Sequence, residues 1–217
     1  MVFDEQLLSA LVAVGIFLLI GFPIHEFSHA FAAYKLGDST ARWQGRLTLN
    51  PLSHFDPLGG GLLALSAIAG GFFIGWAKPT PVNPYNLQYG RRGEAIVALA
   101  GPLSNLIMAA VVAIPLRLIL ANPAMRLEVQ TNDVLFFIFL AAGQFVTINV
   151  FLMIFNLLPI PPLDGWRVLL GLLDARTSYT LRQYEQYGFI LILIIFLAGG
   201  QIIGGFADTV IDLLLGL

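Results

Sequence analysis

Residues 7–34 of the chain read LLSALVAVGIFLLIGFPIHEFSHAFAAY, and this stretch decides the fold. It is apolar over 28 residues, and about 20 residues of helix cross the ~30 Å hydrocarbon core of a bilayer, so it predicts a membrane helix. Near its end lie His25, Glu26 and His29. Residues four apart share one face of a helix, so the two imidazoles can bind a single Zn²⁺. The carboxylate between them is placed to take a proton from water that the ion activates.

The composition of the 217-residue chain is that of an integral, multi-pass membrane protein. Hydrophobic residues make up 58% and charged residues 11%, against roughly 25% charged residues in a soluble domain. Four further stretches carry no charge and are long enough to cross the bilayer: 58–77, 95–116, 134–163 and 186–207. No polar stretch is long enough to build a second core. We therefore expect one domain over residues 1–217, with a catalytic core at about 7–175 and C-terminal membrane segments at about 186–215.

Cysteine content and charge narrow the chemistry and the partners. The chain has no cysteine, so thiolate metal sites are excluded, and zinc must be held by histidine and carboxylate. Basic residues form no run beyond Arg91 and Arg92, so we expect a lipid bilayer but no nucleic acid as a partner. The first residues carry Asp4 and Glu5 but no basic residue, and cleavage after the apolar run would remove both histidines. A cleaved signal peptide is therefore not expected.

The order of apolar and polar stretches predicts an all-α polytopic membrane bundle of about five segments. Helices are expected at about 7–36, 95–120 and 134–158, then a short helix from Asp164 and one long or two broken segments to about residue 215.

Two connecting stretches have patterns of their own. The polar residues 38–57 alternate in β fashion between turn signals, which predicts a short surface β-hairpin. Six glycines make 58–77 a poor straight helix and favour a re-entrant segment. If the segment 58–77 enters and leaves the membrane on the same side, nine of the 11 basic residues lie on one side of the membrane and two on the other. The positive-inside rule favours that arrangement, with the motif helix ending towards the cytoplasm.

A catalytic zinc needs a third protein ligand besides the two histidines. Asp164 is the candidate, because it is the remaining ionisable group at a proline break in the apolar runs, and such groups are costly in a membrane. The alternative role for Asp164 is an N-cap of the helix that follows. His54 competes as a ligand, but it lies in a polar loop, which favours a surface or supporting role.

Asn156 is an amide among Phe and Leu residues, eight positions before Asp164. In hydrocarbon it needs a hydrogen-bond partner. That partner is either another helix or a substrate carbonyl that gains negative charge during attack, and the sequence supports both interpretations equally.

Three blocks of sequence stand out by their order and spacing. They are His25-Glu-Phe-Ser-His29, Ala100-Gly-Pro-Leu-Ser-Asn105 and Asn156-Leu-Leu-Pro-Ile-Pro-Pro-Leu-Asp-Gly165. Together they resemble the site-2 protease family of intramembrane zinc metalloproteases. Residues 50–59 and 75–84 further resemble a compact prokaryotic branch without a PDZ domain.

The resemblance implies a role for each candidate residue. It implies His25, His29 and Asp164 as ligands of one Zn²⁺ per chain, Glu26 as the catalytic carboxylate, and Asn156 as a substrate or oxyanion contact.

The resemblance also implies an activity: a zinc metalloendopeptidase of a prokaryotic cell membrane that cleaves in or near the transmembrane segments of other proteins, as in regulated intramembrane proteolysis. Trp166 departs from the glycine of many relatives, and its ring is expected to narrow access to the metal. Two other functions stay open, a proteolytically silent zinc-binding homologue and an ion-binding transporter. No internal repeat supports the transporter.

Overall fold

The computed structural model describes residues 5–59, 78–198 and 200–217, and within these ranges the chain is helical without strands. Its helical elements, in chain order, are α1 (Glu5–Ile16), a π-helical turn (Phe17–Gly21), α2 (Phe22–Lys35), α3 (Thr40–Trp43), α4 (Pro51–His54), a 3₁₀ turn (Pro84–Asn86), α5 (Arg91–Ala121), α6 (Pro123–Thr131), α7 (Asp133–Asn156), α8 (Asp164–Leu172), α9 (Ala175–Arg182), a second 3₁₀ turn (Glu185–Tyr187), α10 (Gly188–Ala198) and α11 (Gly200–Leu215).

Three of the described helices are long and apolar enough to cross a membrane. They cover Leu8–Lys35, Arg91–Ala121 and Asp133–Asn156, and a fourth crossing results if α10 and α11 count as one bent pair. The prediction of an all-α, polytopic membrane bundle is therefore confirmed. The count of five stays a prediction, because the remaining segment, 58–77, lies outside the described residues from position 60 onward.

Helix α5 is the centre of the described bundle. Its second half packs against α7 and α11 through small and β-branched side chains, including Ala109, Ala113, Val146 and Val150, all of them buried. Small residues let membrane helices approach closely, where dispersion contacts rather than hydrophobic transfer hold them together. The first half of α5 instead receives α2 and α8, the two helices that carry the candidate metal ligands.

The β-hairpin predicted for residues 38–57 is wrong, because short helices form there instead. Side chains bond to nearby backbone at the start of each helix: Asp38 accepts from the Thr40 amide, and Asn50 caps α4 by accepting from the Leu52 amide. The buried Arg46 guanidinium donates to the Ser53 carbonyl. Such local bonds compete with strand pairing, and the alternating pattern did not reveal them.

The two ends of the stretch 60–77 lie at the same end of the bundle. The Lys78 amide donates to the His54 carbonyl at 3.2 Å, and the Gln88 amide donates to the Leu36 carbonyl at the end of α2 at 2.7 Å. The re-entrant arrangement predicted for 58–77 concerns residues that lie, from position 60 onward, outside the described ranges, and it stays a prediction.

We predict that single cysteines introduced at Gln44 and Tyr85 are labelled from the same side of the membrane. Both positions are exposed at the end of the bundle where α2 ends and α5 begins. A cysteine at Met125, beyond the far end of α5, should be labelled from the opposite side. The chain has no cysteine of its own, so an impermeant maleimide reports only the introduced residue. Labelling of the first two positions from opposite sides would contradict this topology.

Candidate metal centre

Two histidines of α2 and the first residue of α8 converge on one point. The Nε2 atoms of His25 and His29 are 3.1 Å apart, and Asp164 Oδ2 lies 3.5 Å from the former and 3.2 Å from the latter. Both histidines are buried and Asp164 is half-buried. One ligand atom from each residue lies within 4.8 Å of the others, so the three could hold a single metal ion.

The Nδ1 atom of each histidine ring, which points away from the other two candidate ligands, already has a hydrogen-bond partner. His29 Nδ1 lies 2.8 Å from the Val97 carbonyl oxygen, and His25 Nδ1 lies 2.9 Å from Asn105 Oδ1. A carbonyl oxygen can only accept, so each Nδ1 donates, and in the neutral ring this leaves the lone pair on Nε2. Two lone pairs and a carboxylate oxygen would repel one another at these distances. A cation between them removes that repulsion, so the donor set fits a divalent metal.

Helix α5 approaches the histidines at a glycine. A Cβ at Gly101 would lie 2.2 Å from His29 Nε2 and 2.7 Å from His25 Cε1, closer than atoms can pack. Gly101 and Asn105 are four residues apart on α5, so one face of this helix admits both rings and orients one of them. Sequence reasoning assigned neither residue a role in the metal centre. The signal was present in the Ala100-Gly-Pro-Leu-Ser-Asn105 block, as a glycine one turn before an amide.

Asp164 reaches the histidines because the chain folds back on itself after α7. A Cβ at Gly165 would lie 2.2 Å from the Leu157 carbonyl oxygen, so the start of α8 packs directly on the turn that ends α7. Leu163 is the N-cap of α8, without a side-chain cap bond, and Asp164 is its first helical residue. The alternative of Asp164 as an N-cap is therefore wrong, and its carboxylate faces the two histidines instead.

Glu26 is buried beside His25, His29 and Asp164, the candidate ligand trio, but its carboxylate is hydrogen-bonded to a different part of the chain. Its Oε2 accepts from the Thr80 hydroxyl at 2.7 Å and from the Thr80 amide at 3.1 Å. Thr80 is itself buried, in the loop between residues 78 and 90. Sequence reasoning gave Thr80 no role, although it lies between Pro79 and Pro81 in the block 75–84 that resembles the family.

His54 is buried but lies outside the ligand trio. Its Nε2 is 2.8 Å from the Thr48 carbonyl oxygen, and its ring packs edge-on against Phe22 with centroids 6.4 Å apart. A surface position for His54 is therefore wrong, whereas a role in supporting the loop against α2 fits these contacts.

Asn156 and Trp166 lie on either side of Asp164 in the sequence. Asn156 ends α7, half-buried, and its amide makes no hydrogen bond to any residue that the structure describes. Its role stays a prediction. The Trp166 ring is buried, and its indole N–H donates to Glu185 Oε1 at 3.0 Å. The ring thus links α8 to the turn before α10, and its role in narrowing access to the metal stays a prediction.

Asp38 anchors the loop that carries Thr80. Its carboxylate accepts from the Asn83 amide at 2.7 Å and from the Asn86 side chain at 3.1 Å, besides the Thr40 amide. Burial of Asp38 acts against its ionisation. The donors from Thr40, Asn83 and Asn86 outweigh burial, and they lower the pKa of the carboxyl below the ordinary aspartate value.

Fold and site together define a membrane-embedded helical protein with a candidate single-metal centre and an adjacent glutamate. The sequence model of Peptidase family M50 matches residues 125–199, which include Asn156 and Asp164.

Curated proteins with similar sequences extend the match to most of the chain. "Putative zinc metalloprotease YwhC" of Bacillus subtilis (strain 168) is 40% identical over 190 residues, which cover 87% of this chain and 82% of that protein. Rip2 of Mycolicibacterium smegmatis, also described as a putative zinc metalloprotease, is 35% identical. The match covers 84% of this chain and 68% of Rip2. MJ0611 of Methanocaldococcus jannaschii, described in the same words, is 32% identical. The match covers 74% of this chain and 68% of MJ0611. No solved structure gives a significant match. The chain belongs to peptidase family M50, the site-2 protease family that its sequence blocks resemble.

We predict that Gly101→Ala removes the metal, because its methyl group would occupy the space of the His29 ring. Purified protein should lose most of its zinc per chain, as measured by plasma mass spectrometry after incubation with Zn²⁺. Gly143→Ala on α7 is the matched control, since a Cβ there meets nothing within 4 Å. Normal zinc content in Gly101→Ala would contradict the packing of α5 on the histidines.

We also predict that Asp38→Asn lowers the unfolding temperature at neutral pH, because the amide cannot replace a charged acceptor of four hydrogen bonds, which come from the Thr40 amide and hydroxyl, the Asn83 amide and the Asn86 side chain. The folded-state pKa of Asp38 is lowered, so its stabilising effect is complete above the ordinary aspartate pKa of about 3.9 and is lost as the pH falls through the folded-state pKa. The difference between wild type and variant should therefore narrow in acid.

Thermal unfolding of the detergent-purified protein across this pH range measures the effect. Asp208→Asn, at an exposed position on α11, is the control and should change little at any pH. The anchoring role would be contradicted if wild type and Asp38→Asn unfolded at the same temperature at neutral pH, or if the difference between their unfolding temperatures did not narrow in acid.

Proposed function

We propose that this protein is a zinc metalloendopeptidase of a prokaryotic cell membrane that hydrolyses peptide bonds in or near transmembrane segments of other proteins. The observation that carries the proposal is the convergence of Asp164, the first residue of α8, on His25 and His29, which lie in a helical stretch apolar enough to cross a bilayer. Membership of family M50 and the zinc metalloprotease names of bacterial and archaeal relatives support it. The whole chain, 1–217, would be the one catalytic domain.

The ligand set suits zinc. Two imidazole nitrogens and one carboxylate oxygen are three protein ligands, and a tetrahedral catalytic zinc leaves its fourth position to water or substrate. When bound, zinc supplies Lewis acidity, which brings the pKa of water towards ~7 and polarises the scissile carbonyl. The Val97 carbonyl and Asn105 Oδ1 accept from the Nδ1 atoms, so they orient both rings and leave the Nε2 atoms of the neutral imidazoles free to bind one ion.

Glu26 is the proposed proton carrier. Its carboxylate follows His25 directly in α2 and is buried. It would accept a proton from the attacking water and deliver it to the leaving amine.

Asn156 is the proposed contact for the substrate carbonyl. Its half-buried amide is free of hydrogen bonds within the described part of the chain and lies on the turn that Gly165 contacts.

The substrate follows from where the site lies. A catalytic centre between membrane helices meets a polypeptide that is itself in the bilayer. The carbonyls of a transmembrane helix are bonded within the helix, so the substrate must unwind locally before attack, and helix-breaking residues near the cut would lower that barrier. We therefore expect transmembrane segments with Gly or Pro near the cleaved bond to be preferred.

We predict that Glu26→Gln abolishes cleavage while zinc stays bound. The amide cannot accept the proton, and general-base catalysis typically contributes 10²–10⁴-fold, so the cleavage rate should fall by at least about 100-fold. The assay is cleavage of a transmembrane reporter by purified protein in liposomes, with zinc per chain measured on the same samples. Glu128→Gln on α6, exposed and far from the site, is the matched control.

Four outcomes test the proposed function. Cleavage by wild type that is lost in Glu26→Gln supports the peptidase. Zinc binding without cleavage by wild type would indicate a silent homologue, and a protein without zinc would overturn the metal centre. Cleavage by Glu26→Gln at the wild-type rate would remove the proposed mechanism.

A further inference from the structure

We propose that Thr80 is a positioning residue for Glu26: it holds one carboxylate oxygen so that the other is presented to the reacting water. The inference rests on the proposed function, since it gives Glu26 the role of proton carrier. It concerns a residue of the loop between 78 and 90, far from the histidine motif in sequence.

The contact is made by two donors from one residue. The Thr80 amide and the Thr80 hydroxyl both point at Oε2 of Glu26, at 3.1 and 2.7 Å, and the hydroxyl oxygen also lies 3.1 Å from the Glu26 backbone carbonyl oxygen. Both side chains are less than 10% exposed. Oε1 has no hydrogen-bond partner among the described residues. One oxygen of the carboxylate is thus held twice, and the other is left for the reaction.

A glutamate needs such a restraint to work as a base. The torsion that turns its carboxylate is broad, with no sharp staggered minimum, so an unrestrained group rotates among many orientations. Two donors that converge on one oxygen fix both the plane of the carboxylate and which oxygen faces outward. A proton transfer depends on that geometry, because the base must lie within hydrogen-bond reach of the proton it takes.

The sequence around Thr80 makes it the residue that can do this. Pro79 and Pro81 have no backbone N–H, so the amide and hydroxyl of Thr80 are the hydrogen-bond donors of the tripeptide. A following proline also disfavours the helical region at Thr80 and keeps the backbone extended. The loop is fixed on both sides of Thr80, at Lys78 by the His54 carbonyl and at Asn83 by the Asp38 carboxylate.

The test compares substitutions that differ in the hydroxyl. Thr80→Val keeps the shape and the amide but loses the O–H, so kcat on the transmembrane reporter should fall about tenfold while KM changes by less than about twofold. Thr80→Ser restores the hydroxyl and should recover activity to within about twofold of wild type. Zinc per chain should be unchanged in both. Thr147→Val is the matched control, because its hydroxyl donates to the Gly143 carbonyl within α7, away from the site.

A second measurement does not depend on activity. In a double-mutant cycle of thermal unfolding, Thr80→Val should lower the unfolding temperature of the wild type but change it little when Glu26 is already Ala, because the acceptor is gone. If Thr80→Val fails to fold, Thr80→Ala and Thr80→Ser form the pair to compare. They also differ by the hydroxyl, and the same tenfold difference in kcat is expected.

The outcomes are separable. Equal activity of the Val and Ser variants, equal loss in both, or additive unfolding temperatures in the cycle would overturn the positioning role. If wild type cleaves, Glu26→Gln does not, and Thr80→Val matches wild type, then this inference fails and the proposed function stands. If Glu26→Gln is as active as wild type, the proposed function fails and the contact loses its catalytic meaning, whatever the cycle shows.

Discussion

The close contact between α2 and α5 is the constraint on which the rest of the site depends. The histidine rings lie against Gly101, and their Nδ1 atoms donate to Val97 and Asn105 on the same helix. These contacts together set the spacing of the two helices and the direction in which the two Nε2 atoms point. Asp164 can complete the site only because α8 also packs on the first half of α5.

The interior of the described bundle has two parts with different physics. Most of its buried polar groups lie towards the end where α2 stops and α5 starts, among them His25, Glu26, His29, Asp38, Arg46, His54, Thr80 and Glu94. The other half is filled by alanine and aliphatic side chains. Buried polar groups are tolerated in a membrane when each finds a partner, and here short loops and helix ends supply most of those partners.

The sequence predicted the membrane helices and the ligand trio because both leave strong local signals. Apolar length marks a crossing, and His25, His29 and Asp164 stand out as scarce ionisable groups in an apolar chain. It failed at the surface segment, where Asp38, Asn50 and Arg46 bond to nearby backbone and override an alternating pattern. It gave no role to Thr80 or Asn105, although both lie in blocks that resemble the family, because their partners are distant in sequence and only the packed fold brings them together.

The chain reversal between α7 and α8 has a consequence for assembly. The Asp164 carboxylate and the two imidazoles belong to separate helices, and an ion held by all three would cross-link those helices. Ion uptake and docking of α8 onto its neighbours are then thermodynamically coupled, so each lowers the cost of the other. The cation would thus stabilise the packing of the bundle as well as take part in its chemistry.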